Sequence, residues 1–372
     1  MPILETLPER LLLGPGPSNV HASVLEAMSR PLVGHLDPQF IALLDRLKQG
    51  LRTLFGTSNA MTLPLSATGS AGMEAALVNL LEPGDPIVIG VNGVFGVRMA
   101  EVARRAGADV TTVEATWGTR LDDSKMADAI SRVQPRVVSF VHAETSTGVR
   151  QPIEEIVSAA RDADAMVVLD CVTSLAGCPV KLDRWGIDAA YSGSQKCLSC
   201  PPGLSPVSFS DRAIETVKAR KVPVQSWFLD LSLLAGYYEG EKRVYHHTAP
   251  ITATYGLAAG VDRALEEGLE TRYERHTRAA LQLIEGLDAM GFIPLVEAAD
   301  RLPMLTSVRL PKAVEKLGEA VVRGRLLDEF GIEVGAGLGP LAGEIWRIGL
   351  MGENASAEPI DRLLEALQQI LA

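Results

Sequence analysis

Between residues 61 and 210 the chain alternates short β-rich runs with helical stretches, and this alternation limits the fold more than any other feature. The runs are "MTLPL" (61–65), "PIVIGV" (86–91), "DVTTVE" (109–114), "VVSFVH" (137–142), "MVVLD" (166–170), "AAYSG" (189–193) and "PVSFS" (206–210). Stretches such as "AGMEAALVNLLE", "GVRMAEVARRAG", "SKMADAISRV" and "IEEIVSAARDAD" lie between most of them. Strands that are apolar throughout need cover on both faces, and helical crossovers supply it while making neighbouring strands parallel. The expected core is therefore an α/β domain around a largely parallel sheet of seven strands. "LEPGD" (81–85) ends one helix and turns the chain into the next strand.

From Ile251 the pattern changes. "TYGLAAGVDRALEEGLETRYERHTRAALQLIEGLDAMG" reads as one long helix, and "LTSVRLP", "GIEVGAG" and "IWRIGLMG" follow as strands separated by helical stretches. That is the pattern of a smaller α+β unit. The expected organisation is an N-terminal arm (1–20), a large domain (21–260) and a small C-terminal domain (261–372). No internal repeat or low-complexity linker interrupts it.

Charge narrows the function classes. With 35 basic against 46 acidic residues the chain carries −11, which disfavours nucleic acid and anionic membranes as partners. An anionic small molecule would need a locally positive pocket. No segment approaches the roughly 20 apolar residues of a membrane span. "MPILETLPERLLLGPGP" lacks a basic leader, and the final "QQILA" is no peroxisomal address, so the expected location is cytoplasmic. All four cysteines lie between Cys171 and Cys200. The pair Cys197 and Cys200 has zinc or redox spacing, but Cys171 and Cys178 do not repeat it. Buried thiols in a reduced compartment, with no metal, are the preferred reading.

In open α/β sheets ligands bind beyond the carboxyl ends of the strands. Read there in order, the chain presents Thr68, Gly69 and Ser70, then Asn92 and Gly93, Glu144 and Thr145, Asp170, and finally Ser194, Gln195 and Lys196. "SATGSAGMEAAL" passes from strand through a small-residue turn into a helix, whose first N–H groups favour a phosphate. Capping by Ser70 is the ordinary alternative. Asp170 closes a very apolar strand, as a cap or as partner to a buried cation. Lys196, in "YSGSQKCLSCPPG", is either a surface lysine or a desolvated amine of lowered pKa, as a Schiff base requires. Together a phosphate cup, a terminal aspartate and a desolvated lysine are the minimum parts for pyridoxal 5'-phosphate. Arg347, amid "EIWRIGLMG", either grips a carboxylate or snorkels from a strand edge. "GVNGVFG" and "GAGLGP" lack the spacing of a dinucleotide fingerprint.

Seven ordered motifs carry a family resemblance: "LLLGPGPSNV", "EAALVNLLEPGD", "ETSTGV", "YSGSQK", "PPG", "YHHT" and "RIGLMGENA". From Leu11 to the C-terminus the chain resembles the alanine–glyoxylate (serine–pyruvate) aminotransferases of the class V, fold-type I pyridoxal-phosphate family. The resemblance implies that Lys196 is the Schiff-base lysine and Asp170 the partner of the pyridine nitrogen. It places Thr68, Gly69, Ser70 and Gln195 beside the phosphate and Thr145 near the ring hydroxyl. Arg347 falls on the carboxylate-binding arginine, and Gly16 on the substrate side. Tyr245 and Thr248, in "VYHHTAP", match residues that reach the neighbouring subunit's phosphate, which implies a homodimer with shared sites. Two positions depart from the pattern. Phe95 stands where tryptophan often stacks on the ring, and Ser70 replaces a histidine of the animal enzymes.

The implied activity moves the amino group of alanine or serine to glyoxylate in a ping-pong cycle, with small amino acids and keto acids as partners and no nucleic acid or membrane. Related transaminases acting on serine–glyoxylate, ureidoglycine–glyoxylate or aminoethylphosphonate–pyruvate are the near alternatives. A same-fold lyase such as a cysteine desulfurase needs a cysteine near the C-terminal domain, which this chain lacks. A non-catalytic binding protein is the remaining alternative, against which Lys196, Asp170 and Arg347 stand together.

Overall fold

A computed structural model describes residues 7–240 and 242–372; the first six residues of the expected arm lie outside the described residues. Fourteen strands are found among them: β1 (Leu11–Leu13), β2 (Met61–Leu65), β3 (Pro86–Val91), β4 (Asp109–Glu114), β5 (Val137–Val141), β6 (Ala143–Glu144), β7 (Val149–Arg150), β8 (Met166–Asp170), β9 (Ala189–Tyr191), β10 (Ser205–Phe209), β11 (Ile293–Pro294), β12 (Leu305–Arg309), β13 (Ile332–Ala336) and β14 (Ile345–Gly349). The seven runs expected from the sequence form one sheet, in the order β2-β10-β9-β8-β5-β3-β4. Only β10 runs against its neighbours β2 and β9.

Alternating side chains explain why this sheet is covered twice. Val88, Val138, Phe140, Val167 and Leu169 belong to the hydrophobic cluster on one face. Ile87, Ile89, Val137, Val141 and Val168 belong to the cluster on the other. A two-residue period thus splits each apolar run between two cores. The first cluster is closed by helices Asp123–Val133 and Glu154–Asp162, the second by Gly69–Leu80 and Val94–Arg105.

The C-terminal unit has its own sheet, β1-β13-β14-β12-β11, and its own core around Phe292 and Trp346. Two features differ from the expectation. The presumed arm contributes β1 as a parallel edge strand, with Leu11 opposite Ile332 and Leu13 opposite Val334. The long helix is in fact two, Ile251–Glu267 and Leu269–Asp288, broken at Gly268, whose φ of 82° is a left-handed conformation that glycine tolerates best. The break separates allegiances. Leu257 and Val261 pack into the large-sheet core, Leu283 and Leu287 into the C-terminal one. Among the described residues no helix is long and apolar enough to cross a membrane.

Candidate active site

The carboxyl ends of β5, β8 and β9 converge on a cavity of about 240 Å³. Gly69, Ser70, Phe95, Thr145, Asp170, Gln195 and Lys196, all expected site residues, line it. Two of its charged groups are buried: Lys196 is 8% exposed and Asp170 3%.

Lys196 lies on the loop after β9. Its backbone carbonyl accepts from Ser18 Oγ at 2.8 Å, and its Nζ donates to the Pro15 carbonyl. Burial pulls its pKa from 10.5 down to about 8, against the opposing pull of Cys197 and Asp170. The surface-lysine alternative therefore falls. Gly16 presses on the same side chain: at φ +104° it has no room for a methyl group, which would overlap Lys196.

Asp170 ends β8 with both oxygens engaged. Oδ1 accepts from the Val172 N–H at 2.8 Å and Oδ2 from the Tyr191 hydroxyl at 2.9 Å. Desolvation nevertheless raises its pKa to about 7, and the two hydrogen bonds only partly offset this. In its ionised form this carboxylate would favour a proton on a nitrogen facing it.

The helix Gly69–Leu80 starts at Thr68, whose side chain makes no capping bond. Ser70 does not cap it either; its Oγ accepts from Arg98 at 3.2 Å. The ordinary capping alternative is thus overturned, and the positive end of the helix is left facing the cavity. Nearby, the Gln195 amide oxygen is buried and has no hydrogen-bond partner among the described residues. An uncapped helix start and an orphaned polar atom, with a buried amine and carboxyl beyond, fit pyridoxal phosphate in chemistry and in order along the cavity.

Arg347 approaches from the C-terminal unit. On β14 its neighbours Trp346 and Ile348 face that unit's core, so Arg347 faces the crevice. Nε donates to the Ala336 carbonyl at 2.7 Å and Nη1 to the Thr145 carbonyl at 3.2 Å. β14 is flanked by β13 and β12, so the arginine is interior and not a snorkelling edge residue. Burial lowers its pKa to about 10, with Glu144 pulling the other way, so it stays charged at neutral pH.

Tyr245 and Thr248 are not brought to this cavity. Tyr245 is 60% exposed, with its ring 5.3 Å from that of His35, and Thr248 is exposed as well. All four cysteines are buried free thiols. Burial pushes Cys178, Cys197 and Cys200 up to about 12, so each is an inert thiol at neutral pH.

Three site residues had no role assigned from sequence. Tyr191 is the donor to Asp170. Glu144, fully buried, accepts from the Phe95 N–H at 3.1 Å and from Ser146 Oγ at 2.6 Å, bracing the helix that carries Phe95. Arg98 lines the cavity three residues after Phe95, a spacing that puts both on one helix face. That spacing was the available signal for Arg98. Glu144 was marked only by its place at a strand end, and nothing local marked Tyr191.

A family model for class-V aminotransferases matches residues 11–358. The (S)-ureidoglycine–glyoxylate transaminase of Bacillus subtilis (strain 168) is 40% identical, over 98% of this chain and 91% of that one. The alanine–glyoxylate aminotransferase of Oryctolagus cuniculus is 39% identical, over 98% and 93%. A solved alanine–glyoxylate aminotransferase from Nostoc sp. superposes with a TM-score of 0.96 at 47% identity, covering 100% of this chain and 97% of that one.

Proposed function

The chain belongs to the class-V aminotransferase family, and on that premise we propose that it transfers the amino group of L-alanine or L-serine to glyoxylate, giving pyruvate or hydroxypyruvate and glycine. The observation that carries this reading is a buried Lys196 amine of lowered pKa standing between an uncapped helix start and an inward-facing Arg347.

Pyridoxal 5'-phosphate, when bound, supplies an electron sink for the charge left on the substrate's α-carbon. The residues divide the remaining work. Thr68, Gly69, Ser70 and Gln195 would hold the phosphate, Lys196 the aldehyde and Asp170 the protonated ring nitrogen. Thr145 would stand near the ring hydroxyl, and the Phe95 face would cover the ring. Arg347 grips the substrate carboxylate as a charge-assisted pair and so fixes which α-carbon bond lies within reach of Lys196. Lys196 Nζ, when unprotonated, would act as the general base that takes the substrate's α-proton. A second pass in reverse, with glyoxylate, completes the ping-pong cycle.

Tyr245 and Thr248 are assigned to the phosphate of a second protomer in a homodimer. Their distance from their own cavity supports this, as does the exposed apolar surface nearby, where Trp227 stacks on His246 at 4.5 Å and Leu233 and Val244 lie open. The sedimentation coefficient of the purified protein tests it, and a monomer at micromolar concentration would sink it.

A second reading, ureidoglycine as amino donor, is favoured by the 40% identity to the Bacillus transaminase. Initial rates with alanine, serine and ureidoglycine, each with glyoxylate, decide between the two. Pyruvate release from alanine at the highest catalytic efficiency is the expected result. Faster turnover of ureidoglycine would replace the first reading with the second, and inactivity with all three donors would end both.

A further inference from the structure

Arg98 has no place in the division of labour above, yet its position is specific. Its guanidinium carbon lies 5.0 Å from the centre of the Phe95 ring. Its Nη1 donates to Ser70 Oγ, and it lines the same cavity as both residues. Farther along the helix, Arg105 pairs with Glu101 at 2.8 Å. Arg98 is also three residues from Glu101 but turns instead toward the uncapped start of the neighbouring helix. A cation is thus directed at a place already favourable to anions, in a chain whose net charge of −11 repels them.

Resting on the cofactor reading given above, we infer that Arg98 is the side-chain clamp of the phosphate site. Its guanidinium supplies the full positive charge that the helix start and neutral Ser70 lack. Its guanidinium also lies over the Phe95 ring, 5.0 Å from the ring centre. The two departures from the family pattern, serine at 70 and phenylalanine at 95, are then served by one residue. Ser70 Oγ accepts from the arginine and orients it, and the small phenyl ring gains a cationic neighbour.

The test uses the purified dimer stripped of cofactor and refilled, with Arg98→Gln and Arg98→Lys beside the unsubstituted protein. Pyridoxal phosphate and pyridoxal, which lacks the phosphate, are titrated at low and high salt. Arg98→Gln is expected to weaken pyridoxal phosphate about tenfold or more at low salt, with a shallower salt dependence, and to change pyridoxal less than twofold. Arg98→Lys keeps the charge and should recover most of the phosphate-dependent part. Arg98 is exposed, so the apo-variants should melt as the parent does. Equal losses for the two aldehydes, or no loss for either, would overturn the clamp. If the unsubstituted protein forms no borohydride-reducible adduct with either aldehyde, the cofactor reading itself fails, and the clamp with it.

Discussion

The two ends of the cavity meet negative charge by opposite means. At one end the helix beginning at Thr68 is left without a side-chain cap, and the Gln195 oxygen without a partner among the described residues. Beyond the other end, outside the residues that line the cavity, Arg347 is already bound to two backbone carbonyls and contributed by a different sheet. One end is made receptive by bonds withheld, the other by bonds completed around a full charge. A helix start keeps its backbone in place whether or not a ligand arrives, so it suits a resident group. A guanidinium held on a strand suits a substrate that must be aligned and then released. Lys196 stands between them.

The contrast can be tested from its strongest point downward. Lys196→Ala removes the group common to both ends and should abolish turnover. Borohydride should no longer label position 196, as peptide mapping would show. Arg347→Ala strikes the substrate end alone. It should cost about 2–5 kcal/mol in catalytic efficiency with alanine, the scale for one partner of a desolvated ion pair. Cofactor affinity, read by titration, should hardly move. Thr68→Asp strikes the opposite end by supplying the missing cap. The apo-protein should gain about 1 kcal/mol in denaturant unfolding, while cofactor affinity falls about tenfold, ~1.4 kcal/mol. A variant that gains stability and binds as before would contradict the idea of withheld bonds.

The smallest effect is on pH. Lys196 attacks an aldehyde only when unprotonated, and burial sets its pKa at about 8. Cofactor uptake by the apo-protein should therefore accelerate as pH rises, by about fivefold between pH 7 and 8, and level off above that. Stopped-flow absorbance would follow it. A rise that continues toward 10.5, the ordinary lysine value, would mean the amine is solvated.

What the sequence reveals of all this follows from range. The seven large-sheet strands are legible because all but the edge strand β4 are buried along nearly their whole length, and the structural bounds differ by no more than two residues at either end. Lys196, Asp170 and Thr145 are legible because strand ends are where such a sheet binds ligands. β1 is not, since "LLL" has no meaning as a strand until β13 lies beside it. The break at Gly268 is hidden because one glycine within a helical period costs little in the pattern. Tyr191 acts through a partner on another strand, which no local signal announces, and the strand-end place of Glu144 does not reveal the helix it braces.

The pairing of β1 with β13 has a temporal consequence. Leu12 is held further by Asn354, and the Pro15 carbonyl beyond it accepts from Lys196 Nζ. The wall behind that nitrogen is therefore built from opposite ends of the polypeptide. During translation the lysine loop emerges long before the strand that anchors the wall has been made. Capture of the vitamin should thus be a late act of biogenesis, and ribosome-stalled chains ending before Ile332 should fail to take up the aldehyde.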